Sequence, residues 1–253
     1  MEQTKDKYIL QSVANTLDLL DLLGKHGELT VPELSSLTGL SRSSVFRMLA
    51  TLESKKYVQK SADAKYCLGV KPITLGSAAM SRLVVARYGH PFLVELTAKT
   101  GETSHMAVLE QDIYVRFVDK VVSQSTIHMD SAIGFRRRAH FVGCGKVLLA
   151  FQAESYVDAY INTVSFEPMT EYSLPNGDAL RRELAIIKRQ GYALDQEEGE
   201  YGLFCIAAPV FDSNGKAVAA ISISGPTERM KRNLEAKCAL VVETAARLSR
   251  SME

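Results

Sequence analysis

The chain has 253 residues, is 46% hydrophobic and 23% charged, and carries a formal net charge of +1. That length allows one large domain or two smaller ones with sizeable cores, and the neutral balance excludes a chain that is polyanion-binding throughout. No apolar run reaches membrane-spanning length. The opening stretch Met1–Lys7 is polar and includes acids, so it does not read as a signal peptide, and a cytoplasmic location is expected. Cys67, Cys144, Cys205 and Cys238 are scattered without a C-x-x-C spacing. They read as free thiols in a reducing compartment, not as a zinc site or a dithiol centre.

Charge is uneven along the chain. Between Leu40 and Lys65, six cations stand against Glu53 and Asp63, whereas beyond Val70 acids and bases cancel. A local basic segment in a neutral chain suits a compact nucleic-acid module; a solvated surface is the other reading.

The first predicted element runs from Ile9 to Leu23, where Ile9, Leu10, Val13, Leu17, Leu20 and Leu23 make one broad apolar stripe. Gly24 or Gly27 ends it. A second helix is capped by Thr30, with Glu33 completing a capping box and Pro32 in the first turn. Leu34 and Leu37 supply its buried face, and Gly39 makes the break. Ser41 caps a third helix reaching about Lys55. At 100° per residue Val45, Leu49 and Leu52 point inward with Met48 beside them, and Ser43, Phe46, Arg47 and Ala50 point outward. Two short helices about a glycine turn, the second showing small and cationic residues, make a helix-turn-helix. Small side chains there let the backbone approach the major-groove floor, while Arg47 can reach guanine or phosphate. Ser41 and Ser44 can donate to phosphate beside the helix N-terminus. Tyr57–Lys60 and Lys65–Leu68 then read as a β-hairpin wing, with Lys60 and Lys65 flanking its turn and able to touch phosphate. An αα-hairpin and ribbon serving protein contacts is the alternative.

From Lys71 to Arg87, Ile73, Leu75, Ala79, Met80, Leu83 and Val84 predict one apolar-faced helix that needs a partner surface. Beyond it, helices are predicted over His90–Lys99, Gly145–Gln152, Ser155–Asn162, Asp178–Gln190 and Glu228–Arg250. Strands are predicted over Thr103–Leu109 and Ile113–Val118, around a turn at Glu110–Asp112, and over Gln124–Met129, Phe204–Phe211 and Ala217–Ser224. Asp212–Gly215 joins the last two as a hairpin turn. This is an α+β pattern: an antiparallel sheet with helical cover.

The string Leu34-Ser-x-x-Thr38-Gly39-Leu40-Ser41-Arg42-Ser43-Ser44-Val45-Phe46-Arg47-Met48-Leu49 closely resembles the DNA-binding domain of the IclR family of bacterial regulators. The resemblance continues at Tyr66-x-Leu68-Gly69, Leu75-Gly76, Thr100-Gly101-Glu102-Thr103 and Gly145-Lys146-Val147-Leu148-Leu149-Ala150. It resumes at Gly191-Tyr-Ala-Leu-Asp195-x-Glu197-Glu198, Gly202-x-x-Cys205-Ile206-Ala207-Ala208-Pro209-Val210 and Ala220-Ile-Ser222-Ile-Ser224-Gly225-Pro226. These blocks span nearly the whole chain in the family's order. The chain departs from the pattern near Arg138 and Val142, where the family tends to carry proline and a small residue.

The resemblance implies an N-terminal winged helix-turn-helix over 1–70, a linker helix over 71–87 and a GAF-like effector domain with an antiparallel sheet over 88–253. Expected DNA contacts are Ser41, Arg42, Ser43, Ser44, Phe46, Arg47, Lys60 and Lys65. Carried over to the effector pocket are Gly145, Lys146, Asp195, Cys205, Ser222 and Ser224. Expected partners are double-stranded operator DNA, a small carboxylate or sugar-acid effector, and further copies of the chain as a dimer or tetramer. The residues themselves allow part of this. Ser222 and Ser224 lie two apart on one strand and share a face, and Gly143–Lys146 opens a helix whose N-terminus suits an anion. Other readings stay open: the serines facing solvent, Cys205 as a small core residue, Asp195 in a turn, and Arg136-Arg137-Arg138 as a solvated loop or a steering patch. No cofactor motif is present and no enzyme is expected. A metal-sensing regulator using His140, Cys144, Cys205 or Asp195, and a Cys/His enzyme pairing His90, His105, His128 or His140 with Cys144 or Cys205, are the alternatives.

Overall fold

A computed structural model describes residues 8–110 and 113–252. Met1–Lys7 and part of the turn at Glu110–Asp112 therefore lie outside the described residues. The chain divides into two compact units, one ending at Arg82 and the other beginning at Leu83.

In the first unit, α1 (Gln11–His26), α2 (Val31–Thr38) and α3 (Arg42–Ser54) are followed by β1 (Val58–Lys60) and β2 (Tyr66–Leu68). Local chemistry sets each boundary. The Thr30 hydroxyl accepts the Glu33 N–H, and the Glu33 carboxylate accepts the Thr30 N–H at 2.7 Å, so the box closes in both directions. Gly39 takes the left-handed φ of 72° that turns the chain from α2 into α3. β1 and β2 pair antiparallel from Val58 opposite Leu68 to Lys60 opposite Tyr66, and Leu29 bridges to Tyr66 on the other edge. Leu19, Leu23, Leu34, Val45, Leu49, Leu52, Val58 and Tyr66 form the core.

Two expectations for this unit change. Leu37 is exposed, leaving Leu34 as the buried residue of α2. The expected stripe of α1 is not one buried face. Leu19 and Leu23 are buried, whereas Val13 and Leu17 are exposed on a face about 120° around the helix, and Ile9 and Leu10, just before it, are exposed too. The helix predicted over Lys71–Arg87 is two helices: α4 (Lys71–Met80) ends the first unit, and α5 (Val84–Thr100) opens the second. Nothing on α4 is buried, and Ile73 and Leu75 are exposed.

The second unit is a three-layer α+β structure. Its antiparallel sheet runs β5 (Arg136–Arg138), β4 (Tyr114–Val121), β3 (Thr103–Leu109), β8 (Ala217–Pro226), β7 (Leu203–Phe211), β6 (Ala193–Gln196). The edge strand predicted at Gln124–Met129 is not formed; β5 takes that place against β4. Three consecutive arginines give no alternation by which a strand is recognised. Between β5 and β6 lie α6 (Gly143–Ala150), α7 (Glu154–Thr163) and α8 (Gly177–Gln190). The predicted terminal helix is broken: α9 (Thr227–Lys231) and α10 (Leu234–Arg250) are separated by Asn233 in the left-handed region.

The two sheet faces differ in size and polarity. Met106 faces α5 and α10, where a Cβ on Gly89 would meet Met106 and Leu248. The opposite face carries Ala107, Ala207 and Ala220 against α6. These small residues let α6 approach closely, with Gly143 stacked over Ala207. On β8 the alternation Ala220-Ile-Ser222-Ile-Ser224 therefore puts isoleucine toward one helical layer and hydroxyls toward the other. Ser222 and Ser224 are buried, so neither faces solvent.

Candidate functional site: an exposed helix face and a buried polar cavity

The exposed side of α3 is one candidate site. Ser41 caps the helix, accepting the Ser44 N–H at 3.2 Å, and its hydroxyl also meets those of Ser43 and Ser44. Arg42, Ser43, Phe46 and Arg47 are exposed, and Ser44 is half-buried. No ion pair among the described residues engages Arg42 or Arg47. Phe46 is half-exposed and lies outside the core of its unit, beside Arg42 and Arg47 on the same helix. It suits a surface that meets bases and phosphates. Lys60 and Lys65 are exposed on the hairpin, the Lys60 ammonium lying 5.6 Å from the Tyr66 ring centre. All eight sequence-derived DNA residues thus fall on α3 and the adjacent wing of one unit.

The second candidate is a partly open cavity between the sheet and the first turn of α6, with a volume of about 40 Å³, room for a few water molecules. Register explains which side chains reach it. Asp195 pairs with Cys205 across β6 and β7, and Cys205 with Ser224 across β7 and β8. One row further along, Ala207 pairs with Ser222, and Ser222 with His105 on β3. Partners in register point to the same face, so these groups converge under Gly143 and Cys144 at the start of α6. Phe117, Met129 and Phe135 close the apolar end, and Arg137 stands in the wall with them.

Burial sets the protonation of the lining. The Asp195 carboxyl, 2% exposed, is pushed up to about 7 by desolvation, and neighbouring Glu198 raises it further against the pull of Lys146. It accepts the Glu198 N–H at 3.0 Å. Desolvation raises the Cys144 thiol to about 12 and the Cys205 thiol well above the ordinary range. Burial thus disfavours the thiolate form at both cysteines. His105 is buried and held down to about 4, chiefly by desolvation and then by Lys120.

Of the six residues carried over to the pocket, Asp195, Cys205, Ser222 and Ser224 line this cavity; Gly145 and Lys146 do not. A Cβ on Gly145 would sit 2.1 Å from the Ala139 carbonyl oxygen, so this glycine serves the packing of α6 against the turn at Ala139–Phe141. Lys146 is fully buried, donating to Glu198 at 2.5 Å, the Leu194 carbonyl at 2.6 Å and Glu183 at 3.4 Å. All three of its protons are used, so it offers nothing to a ligand directly and acts on the cavity through Asp195. The carried-over set leaves out Gly143 and Cys144, which belong to the helix opening the sequence marks for an anion, Arg137, which it offers as part of a steering patch, and His105, whose place in the cavity it did not show.

His140 does not reach the cavity; it is buried with Nδ1 2.7 Å from the Tyr160 hydroxyl. The alternatives built on it lose a member. Among the described residues no group of three or more His, Cys, Asp or Glu is arranged to hold a metal ion. No helix among them is long and apolar enough to cross a membrane.

Residues 12–62 match the IclR helix-turn-helix domain, and residues 77–250 match the C-terminal domain of the bacterial transcriptional regulator IclR. The HTH-type transcriptional regulator KdgR of Dickeya chrysanthemi is 36% identical over 239 residues, covering 94% of this chain and 78% of that protein. The crystal structure of the Thermotoga maritima IclR superposes with a TM-score of 0.79 at 31% identity, covering 96% of this chain and 98% of the other. An IclR homologue from Microbacterium hydrocarbonoxydans, solved in complex with 4-hydroxybenzoate, shares the fold at a TM-score of 0.85 and 20% identity, covering 95% and 98% of the two chains.

Proposed function

This chain belongs to the IclR family of bacterial transcriptional regulators, and we propose that it binds operator DNA as a cytoplasmic homo-oligomer whose DNA affinity is set by a small carboxylate in the cavity of the second unit. As a helix-turn-helix regulator it presents α3 to the major groove, with Arg47 turned to base edges and Lys60 and Lys65 on phosphate. The exposed apolar residues of α1 (Val13, Leu17), of the segment just before it (Ile9, Leu10) and of α4 (Ile73, Leu75) are the surfaces we assign to a second copy, since apolar patches of this kind mark interfaces. Two copies then present two recognition helices to a palindromic operator.

The observation that carries the effector reading is the row of buried hydroxyls, Ser222 and Ser224, converging with Asp195 on the first turn of α6. The free N–H groups of a helix start, two hydroxyl donors and a carboxyl that is half protonated near pH 7 together form a site for a carboxylate. Arg137 has no carboxylate partner among the described residues, and its guanidinium lies over Phe135; at the cavity wall it attracts an anion inward. The bound 4-hydroxybenzoate of the Microbacterium homologue supports the same ligand class for this chain. A ligand that favours one arrangement of the chains over another shifts DNA binding by that difference in affinity.

A thermal-shift screen of the full chain against small carboxylates, aromatic acids and sugar acids tests this. A binding acid raises the melting temperature by mass action, and replacing Ser222 and Ser224 together with alanine removes that rise while the unliganded melting temperature moves little. An undiminished rise in the double variant takes the serines out of the site.

A further inference from the structure

Resting on the reading of this cavity as an effector site, we propose that His105 selects among effectors, hydrogen-bonding an uncharged oxygen, a hydroxyl or keto group, that the acid carries beyond its carboxylate. His105 is 1% exposed and lines the cavity, yet among the described residues neither Nδ1 nor Nε2 has a hydrogen-bond partner. A buried donor or acceptor left unpaired is destabilising, and native structures rarely keep one without a reason. Asp195 in the wall already accepts the Glu198 N–H, and Ser222 and Ser224 are the hydroxyls assigned to the ligand carboxylate. The partner for His105 comes from the contents of the cavity.

Position and chemistry narrow that partner. His105 stands directly across from Ser222 in the β3–β8 register, about 5 Å between Cα atoms, so an acid held at Ser222 brings its next atoms beneath the imidazole. The ring meets Phe117 edge-on at 5.4 Å, and Phe135 stacks on Phe117 at 6.4 Å. Lys120, opposite His105 on β4, is turned to Asp130 and the Ser131 carbonyl. Burial keeps the imidazole neutral, with one nitrogen donating and one accepting. A second carboxylate could only accept, and Arg137, the cation of this wall, is already assigned to the first carboxylate, so a second charge would be buried without compensation. A hydroxyl can donate or accept, and a keto oxygen takes the N–H.

The test uses the full-length protein and acids matched in pairs: glycolate with acetate, lactate with propionate, 3-hydroxypropionate with propionate. Calorimetry is expected to show the oxygenated member of at least one pair binding wild-type protein about tenfold tighter, the equivalent of 1.4 kcal/mol. His105→Leu should abolish that preference, and His105→Gln, which keeps a donor and an acceptor, should preserve most of it. In ¹⁵N-histidine spectra of the wild type, the His105 ring nitrogens should shift with the oxygenated acid and stay in place with its partner, a readout that does not depend on any variant folding. An unchanged preference in His105→Leu, or ring signals indifferent to the oxygenated acid, overturns the assignment while leaving the carboxylate site intact. If wild-type protein binds none of these acids, the small-acid reading itself fails and takes this assignment with it.

Discussion

The two units place their functional side chains in opposite surroundings. On α3, Arg42, Phe46 and Arg47 stand in water with no internal partner, so their loss should leave the fold almost untouched. Around the second unit's cavity, Asp195, Ser222, Ser224, His105 and the Lys146–Glu198 pair are buried, and the ionisable ones among them are tied to protein stability through desolvation. The contrast teaches where sensitivity to conditions resides. The proposed DNA contacts should respond to salt, because they are exposed charges that would meet phosphate. The cavity should respond to pH, because burial has moved the Asp195 ionisation up to about 7.

The largest expected effect breaks that contrast from the buried side. Lys146→Met leaves Glu198 buried beside Asp195 with no cation, and should cost about 3–5 kcal/mol in denaturant unfolding of the second unit. Arg47→Ala, on the exposed side, should move the same curve by less than about 0.5 kcal/mol.

Next comes acid. His140 is held down to about 4 by burial and by Arg138. A histidine lowered from its ordinary 6.5 contributes stability that is complete above that value and lost as pH falls toward 4. Asp195 runs the other way: raised to about 7, it gains stability over the same descent. A variant isolates one contribution. Between pH 6.5 and 4 the stability gap separating wild type from His140→Gln should narrow by about 3 kcal/mol; a constant gap would mean that His140 is not held neutral by the fold.

A smaller effect sharpens the cavity's assignment. Protonated Asp195 can donate to a ligand carboxylate, whereas ionised Asp195 repels it. Affinity for a bound acid should therefore fall by up to about tenfold per pH unit above about 7, and Asp195→Asn should flatten that slope. The smallest expected effect lies on the wing. Replacing Lys60 and Lys65 with alanine should weaken DNA binding several-fold at low salt and reduce the magnitude of the logarithmic salt slope by about 2, without changing which sequence is preferred.

The first unit was almost wholly legible because its determinants are local. Thr30, Glu33, Gly39 and Ser41 act within one turn of where they sit, and the inward triad Val45, Leu49, Leu52 follows from helical period alone. What periodicity could not tell was whose core a stripe belongs to: Leu19 and Leu23 are buried in their own unit, while Leu10, Val13 and Leu17 look equally apolar and are exposed. In the second unit the hairpin at Asp212–Gly215 and the shared face of Ser222 and Ser224 were readable from period two. Lys146 was not, because a lysine beside a helix-opening glycine looks like an anion contact until Glu198 and the Leu194 carbonyl, about fifty residues away, are seen to take its protons. His105 was missed for a related reason. Its significance lies in partners it lacks, and an absence of partners leaves no pattern in a string of letters.

Selection of sequences from a randomised duplex DNA library, run in parallel with wild-type protein and Arg47→Ala, bears most directly on the claim that α3 reads DNA. Wild-type protein should enrich a palindromic sequence that Arg47→Ala fails to enrich, although both melt at the same temperature and both bind duplex weakly at low salt. Enrichment of the same sequence by both proteins, or of none by the wild type, would contradict it.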